Sequence, residues 1–525
     1  MNSCNPRSFI PLAVGLFLLL PAVAGRGAIS VAPPFTGNMV VQRDEPIPIY
    51  GQAAAGSVLH VQLGDGKGEA MAGATVDGQG NWKAILPAMH AGGPLTLKVS
   101  GDGELTLQNI LVGDVWLASG QSNMEFSMTT NFGSGPGVLN GQTEIAAADH
   151  PNIHFFRQRR MSSATPLRAG TGTWEVCTPA TVGQCSAVAY YFAQDIEARE
   201  HVPIGLICTY AGGTPIEAWM PADAVPRAPG YATYAQRWKA AVAAYPRWKA
   251  DYDKKVADQK AAIAEAIKNG QPTPAYHYIS PPPASPDRAP GALYNAMIAP
   301  FTGIPITGVL WYQGEDNVAH ATEYRGFFET MITSWRAAWK QDGMPFLFVQ
   351  LSSFRPRAIQ PGPSNWAELR EAQAGALRLP KTGMAVSLDL GDAVNIHYVN
   401  KKPVGLRLAE AARAVVYGEK IEGSSPLYGS MAPEGGDAIR IKFSHAPAGL
   451  KTADGGAVEG FTMAGDDHVF YAADATVDGA SVVVRSKQVP KPVAVRYGWA
   501  DNPAANLVGG DGLPVSPFRT DTLEH

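Results

Sequence analysis

The chain is predicted to be an α/β protein: a three-layer parallel-sheet domain with a helical insertion, flanked by N- and C-terminal β-sandwich-like regions. Three observations predict this. Through the middle of the chain, apolar runs that end in polar or Gly-rich segments alternate with helical periods. Both ends show period-two alternation broken by turn clusters. The 525 residues also exceed one ordinary domain of roughly 150 residues. Apolar residues are 46% and charged residues 17% of the chain, which supplies large cores and excludes the disordered class. The 56 Gly and 42 Pro lie along the chain without a period, so they mark turns and long loops rather than collagen. Lys plus Arg number 42 against 46 Asp plus Glu, a net charge of -4, so no positive excess is available to neutralise phosphates and nucleic acid is not an expected partner.

Residues 1–24 read as a signal peptide. Arg7 precedes an apolar run at 9–24, and Ala22-Val23-Ala24 has the small-x-small form of a cleavage site. The run holds 16 residues and two prolines, short of the roughly 20 that span a bilayer. Cleavage near Ala24 predicts a secreted or periplasmic chain with no membrane association afterwards. Cys4 leaves with the signal; Cys177, Cys185 and Cys208 remain, and Cys177 with Cys185 is the candidate disulfide.

Residues 28–108 read as a β-sandwich. Leu59, Val61 and Leu63 share one face, as do Leu95, Leu97 and Val99, with turns at Gly64-Asp65-Gly66 and Asp77-Gly78-Gln79-Gly80. Residues 109–418 form the parallel-sheet domain. Its strands are predicted at 115–118, 204–208, 306–311, 346–351 and 384–388, and its helices at 186–199, 324–340, 366–379 and 404–417. The insertion at 221–290 carries Trp238, Ala241, Tyr245, Trp248, Tyr252 and Val256 at helical spacing, which predicts an amphipathic hairpin packed on the sheet domain, with a lid over the site as the alternative. Residues 419–525 return to β texture, with Ile439, Ile441 and Phe443 alternating.

Ligands of open α/β sheets bind at the C-terminal strand ends. Four segments occupy those ends here: Ser119-Gly120-Gln121-Ser122-Asn123-Met124, Gly212-Gly213-Thr214-Pro215, Tyr312-Gln313-Gly314-Glu315-Asp316-Asn317, and residues 389–397. A serine hydroxyl attacks a carbonyl only when a base takes its proton, and Ser122 with His397 can fill those roles. The oxyanion needs donors placed in advance, for which the backbone N–H groups of Ser122 and Gly213 and the side chain of Gln313 are candidates. The segment Gly120-Gln121-Ser122-Asn123-Met124 lacks the second glycine of a nucleophile elbow, so it is not the α/β-hydrolase motif.

These residues resemble a known family. The run Leu111-Val112-Gly113-Asp114-Val115-Trp116-Leu117-Ala118-Ser119-Gly120-Gln121-Ser122-Asn123-Met124-Glu125, then Gly212-Gly213-Thr214-Pro215-Ile216-Glu217-Ala218-Trp219, Tyr294-Asn295-Ala296-Met297-Ile298 and Trp311-Tyr312-Gln313-Gly314-Glu315, is similar to the sialate O-acetylesterase family of SGNH-type hydrolases. The resemblance implies a serine esterase that removes O-acetyl groups from carbohydrates, with Ser122 as nucleophile and His397 as base. Acetylated sialic acids and acetylated plant-wall polysaccharides such as xyloglucan or xylan are the substrate classes it implies. The chain departs from the family at Asp392-Ala393-Val394-Asn395-Ile396-His397, where the acid commonly three residues before the histidine is missing. Asp392 is the nearest candidate to orient the imidazole; a backbone carbonyl holding Nδ1 is the alternative. Asn123, Glu315, Trp219 and Tyr312 are candidate substrate-binding or orienting residues, the aromatics having core packing as their default.

No zinc, Walker or dinucleotide fingerprint occurs, so neither metal nor cofactor is expected. Two rival functions remain at this level: a noncatalytic carbohydrate-binding protein, and a lipase or peptidase on the same scaffold.

Overall fold

The computed structural model describes residues 27–521 except 67–68, 132–134 and 275–278. Residues 1–24, where a signal peptide is expected, lie outside the described residues. No helix among them is long and apolar enough to cross a membrane.

A mixed sheet organises the centre. Its strands run in the order Trp174–Cys177, His150–Arg157, Ile204–Tyr210, Glu104–Gly120, Gly308–Tyr312, Phe346–Gln350 and Thr382–Val386. All neighbours are parallel except the antiparallel edge strand Trp174–Cys177. The five predicted strands are present. A sixth parallel strand, His150–Arg157, and the edge strand were not predicted. His150, Pro151, Asn152 and His154 interrupt the apolar run by which a buried strand is recognised.

The strand Glu104–Gly120 serves two regions. Its first half pairs antiparallel with Gly92–Ser100 and parallel with Val40–Gln42; its second half pairs with Ile204–Tyr210 and Gly308–Tyr312. Leu59, Val61 and Leu63 therefore belong to one buried cluster with Trp116, Leu206 and Leu310. The C-terminal region has its own core, where Ile441, Val482, Val484, Met463 and Val495 fill the space between two four-stranded antiparallel sheets.

Helices Ala187–Glu200, Ala321–Trp339, Asn365–Ala374 and Lys402–Val415 lie close to their predicted bounds. Ser186 and Ser364 cap two of them, accepting the amides of Ala189 and Ala367. The insertion departs from the expected hairpin. Among the described residues it carries a single α-helix, Tyr231–Lys268, on which Tyr234, Ala241 and Ala266 are buried. From Pro281-Pro282-Pro283 onward it forms turns and the short 3-10 segment Pro286–Arg288 rather than a second α-helix, because proline has no amide hydrogen for a helical ladder and disfavours helix in the residue before it.

Cys177, Cys185 and Cys208 are all free and buried, so the candidate disulfide is absent. The Cys185 thiol lies beside Cys208, and that neighbour together with burial raises it well above its ordinary value. Burial pushes Cys177 up to about 12, which keeps it a protonated, unreactive thiol.

Candidate active site

Register places the site. Gly120 pairs with Tyr210 on one side and with Tyr312 on the other, so the loops that follow these three strands leave the sheet together. At Gly120 φ is +141°, and a Cβ there would meet the Tyr312 carbonyl oxygen at 2.1 Å. Only glycine permits the strand to turn so close to its neighbour. The chain then makes the single helical turn Ser122–Glu125.

Residues around Ser122 each reach a different loop. Gln121 Oε1 accepts the amides of Gly314 and Asp316, both at 3.3 Å. Glu125 Oε2 accepts the Gly212 amide at 2.6 Å, and burial raises this carboxyl above its ordinary range. Asn123 is fully buried and works in three directions. Its Nδ2 donates to Glu315 Oε1 at 2.5 Å and to the Ile396 carbonyl at 3.2 Å, while its Oδ1 accepts from Lys401 Nζ at 2.6 Å. The serine turn is thus fastened to the residue before His397.

This fastening brings the predicted pair together: His397 Nε2 lies 2.9 Å from Ser122 Oγ. Burial first, and the charge of Lys401 second, push the imidazole down to about 4. A neutral imidazole at pH 7 is free to accept a proton. Beneath the pair, Lys401 is itself fully buried, with Nζ 3.6 Å from the Tyr398 ring centroid and 4.9 Å from that of Phe126. Burial lowers the Lys401 ammonium and raises the Glu315 carboxyl, each partly opposed by the charge of the other. Glu315 Oε2 is buried and accepts no hydrogen bond among the described residues.

Several predicted residues are placed differently. Gln313 does not face the serine as an oxyanion donor. Its Nε2 donates to the Thr214 carbonyl at 3.1 Å and to Asn317 Oδ1 at 2.7 Å, and its Oε1 accepts from Tyr324 Oη at 2.8 Å. Both amide hydrogens are consumed inside the protein. Trp219 and Tyr312 are wholly buried and do not contact solvent as sugar-stacking platforms would. Trp219 Nε1 donates to Thr214 Oγ1 and its ring meets Trp311 edge-on; Tyr312 Oη lies 3.0 Å from Tyr398 Oη. Asp392 is exposed and makes no hydrogen bond or ion pair with His397. Its Oδ1 accepts the Val394 and Asn395 amides, both at 2.8 Å, and Asn395 Oδ1 in turn accepts the His397 amide at 2.9 Å. Asp392 therefore shapes the loop backbone rather than meeting the ring. Asp389 forms a two-pronged ion pair with Arg407.

The Gly212-Gly213 loop lies against the serine, since a Cβ at Gly212 would come within 3.1 Å of Ser122 Cβ. Arg160 holds the Gly212 carbonyl, and Arg288 holds that of Gly213 together with the Asp316 carboxylate. Gly213 has φ +68°, a conformation that favours glycine. Neither arginine carries a sequence signal, because each comes from a segment distant in the chain and reads locally as surface. The same holds for Lys401, which is followed by Lys402 and looks like part of a solvated charge pair.

Known proteins resemble this chain over most of its length. A family model described as "Carbohydrate esterase, sialic acid-specific acetylesterase" matches residues 112–250 and 286–414. The sialate O-acetylesterase of Rattus norvegicus is 30% identical over 454 residues, 78% of this chain and 78% of that protein. The Homo sapiens sialate O-acetylesterase is 27% identical over 452 residues, 78% of this chain and 76% of its own. The crystal structure of a carbohydrate acetylesterase from Xanthomonas citri superposes with a TM-score of 0.79 at 37% identity, covering 94% of this chain and 100% of that one. The chain belongs to the sialate O-acetylesterase family of carbohydrate esterases, and it is a carboxylic ester hydrolase.

Proposed function

We propose that this protein is an exported serine esterase of the SGNH type that removes acetyl groups from sugar hydroxyls through an acyl-enzyme. The observation that carries the reading is the 2.9 Å separation of Ser122 Oγ and His397 Nε2. His397 takes the Ser122 proton as Oγ attacks the acetyl carbonyl, and the N–H groups of Ser122 and Gly213 hold the oxyanion. The bond from the carbonyl carbon to the sugar oxygen then breaks, and His397 returns the proton to that oxygen. Water, deprotonated by the same imidazole, attacks the acetyl-serine; the bond from the acetyl carbon to Ser122 Oγ breaks, His397 returns the proton to Oγ, and acetate leaves. Asn123 and Lys401 orient the pair without touching substrate, and Glu315 holds Asn123 in place.

The substrates proposed are acetylated plant-wall polysaccharides, such as xyloglucan or xylan, and O-acetylated sialic acids. Measuring acetate release from acetylated xyloglucan, acetylated xylan and mucin side by side tests this. The expected result is release from at least one of them that disappears in Ser122→Ala. Release undiminished in that variant contradicts the mechanism, and inertness on all three contradicts the substrate class. Export is tested by sequencing the N-terminus of the protein recovered outside the cytoplasm; cleavage near Ala24 is expected, and an intact Met1 contradicts it.

A further inference from the structure

A cavity of about 570 Å³ opens beside the His397 loop, within the size range of ligand sites. Ile396, Glu315 and Asp316 form one wall of it, Phe354 and Arg355 another, and Asp501 reaches in from the C-terminal β region. Ile396, the residue before His397, and Glu315 both accept from Asn123 in the serine turn, so the cavity lies beside the His397 loop.

Chemistry selects that side for the sugar. In acyl transfer the imidazole returns its proton to the departing oxygen, so the alcohol half of the ester must lie toward His397. A second cavity near the serine turn, about 250 Å³, is lined instead by Glu125, Ser127 and Tyr210. It adjoins the Gly212 amide that Glu125 holds, which is the side of the oxyanion donors.

The larger cavity is also held in shape. Arg355 has φ +76°, a costly conformation for a long side chain that persists only where its surroundings impose it. Here the C-terminal region imposes it: the Phe354 amide donates to the Asp501 carbonyl at 3.1 Å, and Asn502 Nδ2 donates to the Arg355 carbonyl at 2.7 Å. Arg355 NH1 then reaches Asp501 Oδ2 at 3.0 Å, while Ser364 Oγ donates to Oδ1 at 2.6 Å. Asp501 in turn is fixed by Arg370, a fully buried guanidinium that donates to the carbonyls of Leu351, Ser352, Ala500 and Asp501. The Arg355 side chain remains 60% exposed, and its guanidinium has donors to spare at the mouth of the cavity.

We propose that this cavity is the subsite for the pyranose ring that bears the acetyl group, with Arg355 and Asp501 bonding its polar substituents and Phe354, Val318 and Ile396 meeting its C–H face. The C-terminal β region is then part of the active site through Asp501. This rests on the esterase reading above and adds where the sugar sits.

Kinetics of Arg355→Ala and of Ala319→Trp test it. Ala319 is an exposed lining residue, so the indole obstructs the cavity from its rim while the core is left intact. Each variant is assayed on p-nitrophenyl acetate, which has no sugar, on acetylated xylo-oligosaccharides and on an O-acetylated sialoside. The expected result is a fall of about tenfold in the ratio of kcat/KM for the hydrolysed sugar ester to kcat/KM for p-nitrophenyl acetate, the loss of about one good hydrogen bond, carried by KM. A larger fall for Arg355→Ala on the sialoside than on the neutral sugar identifies a carboxylate as the partner of the guanidinium; equal falls identify hydroxyls. An unchanged ratio in both variants overturns the subsite while leaving the esterase reading intact. A wild-type protein inert on p-nitrophenyl acetate contradicts the esterase reading itself.

Discussion

Lys401 Nζ lies 2.6 Å from Asn123 Oδ1, and this buried contact joins the helix that follows the histidine loop to the turn that carries the serine. It also sets a cation behind His397. A cation near an imidazole disfavours the imidazolium, and burial acts in the same direction. The imidazole therefore stays neutral down to about 4, and the acid limb of kcat/KM is expected there rather than at the ordinary histidine value of about 6.5. In Lys401→Met the positive charge is gone, so the imidazole protonates more readily and the limb moves to higher pH. A pH profile of kcat/KM for both proteins checks this. A limb that stays in place in the variant contradicts the assigned role of Lys401.

Gln313 supports the site from below. In Gln313→Ala, the Thr214 carbonyl, Asn317 Oδ1 and the Tyr324 hydroxyl each lose a buried partner. Asn317 Oδ1 keeps the Ile216 amide and the Tyr324 hydroxyl keeps the Gln313 carbonyl, so the Thr214 carbonyl is the group left unsatisfied, and urea denaturation should register a loss of about 1–3 kcal/mol. An oxyanion donor would behave otherwise: turnover would fall by about 10²–10³ with stability unchanged.

Asp392 distinguishes a loop residue from a member of a triad. Asparagine retains a side-chain oxygen able to accept the Val394 and Asn395 amides, so Asp392→Asn is expected to keep turnover within about tenfold of wild type. Loss of the acid that orients an imidazole costs about 10⁴ in kcat in serine hydrolases. Steady-state kinetics on p-nitrophenyl acetate separates the two by three orders of magnitude, and a loss near the larger figure would restore Asp392 to the imidazole.

Arg370 couples the C-terminal region to the catalytic sheet. Arg370→Met leaves the carbonyls of Leu351, Ser352, Ala500 and Asp501 without this donor. The expected outcome is faster hydrogen exchange in residues 498–504 and a melting temperature lower by several degrees. Exchange unchanged in that segment contradicts the coupling.

The parts of the molecule legible in its sequence are those governed by local pattern. Val115 to Ala118 and Ile204 to Cys208 are unbroken apolar runs, as strands buried on both faces must be, and the helix that follows Ser186 announces itself by its cap and period. The pairing of Ser122 with His397 was legible because each sits in a recognisable loop at a strand end. What escaped was decided by contacts across the chain. His150–Arg157 looks like a loop until Ile204–Tyr210 lies beside it. Gln313 has the amide of an oxyanion donor, yet Thr214, Asn317 and Tyr324 claim it, and no local pattern records that competition. Trp219 and Tyr312 illustrate the same limit: aromatic rings near a strand end read alike whether they line a cleft or lie beneath it.

The most direct test of the Ser122 and His397 assignment is to quench the enzyme in acid during turnover of p-nitrophenyl acetate and map the acetyl group by peptide mass spectrometry. The expected result is acetylation of the peptide bearing Ser122, absent in Ser122→Ala, whose kcat falls on the order of 10⁴–10⁶-fold while its fold is retained. An acetyl group found on another residue, or turnover at the wild-type rate in Ser122→Ala, would contradict it.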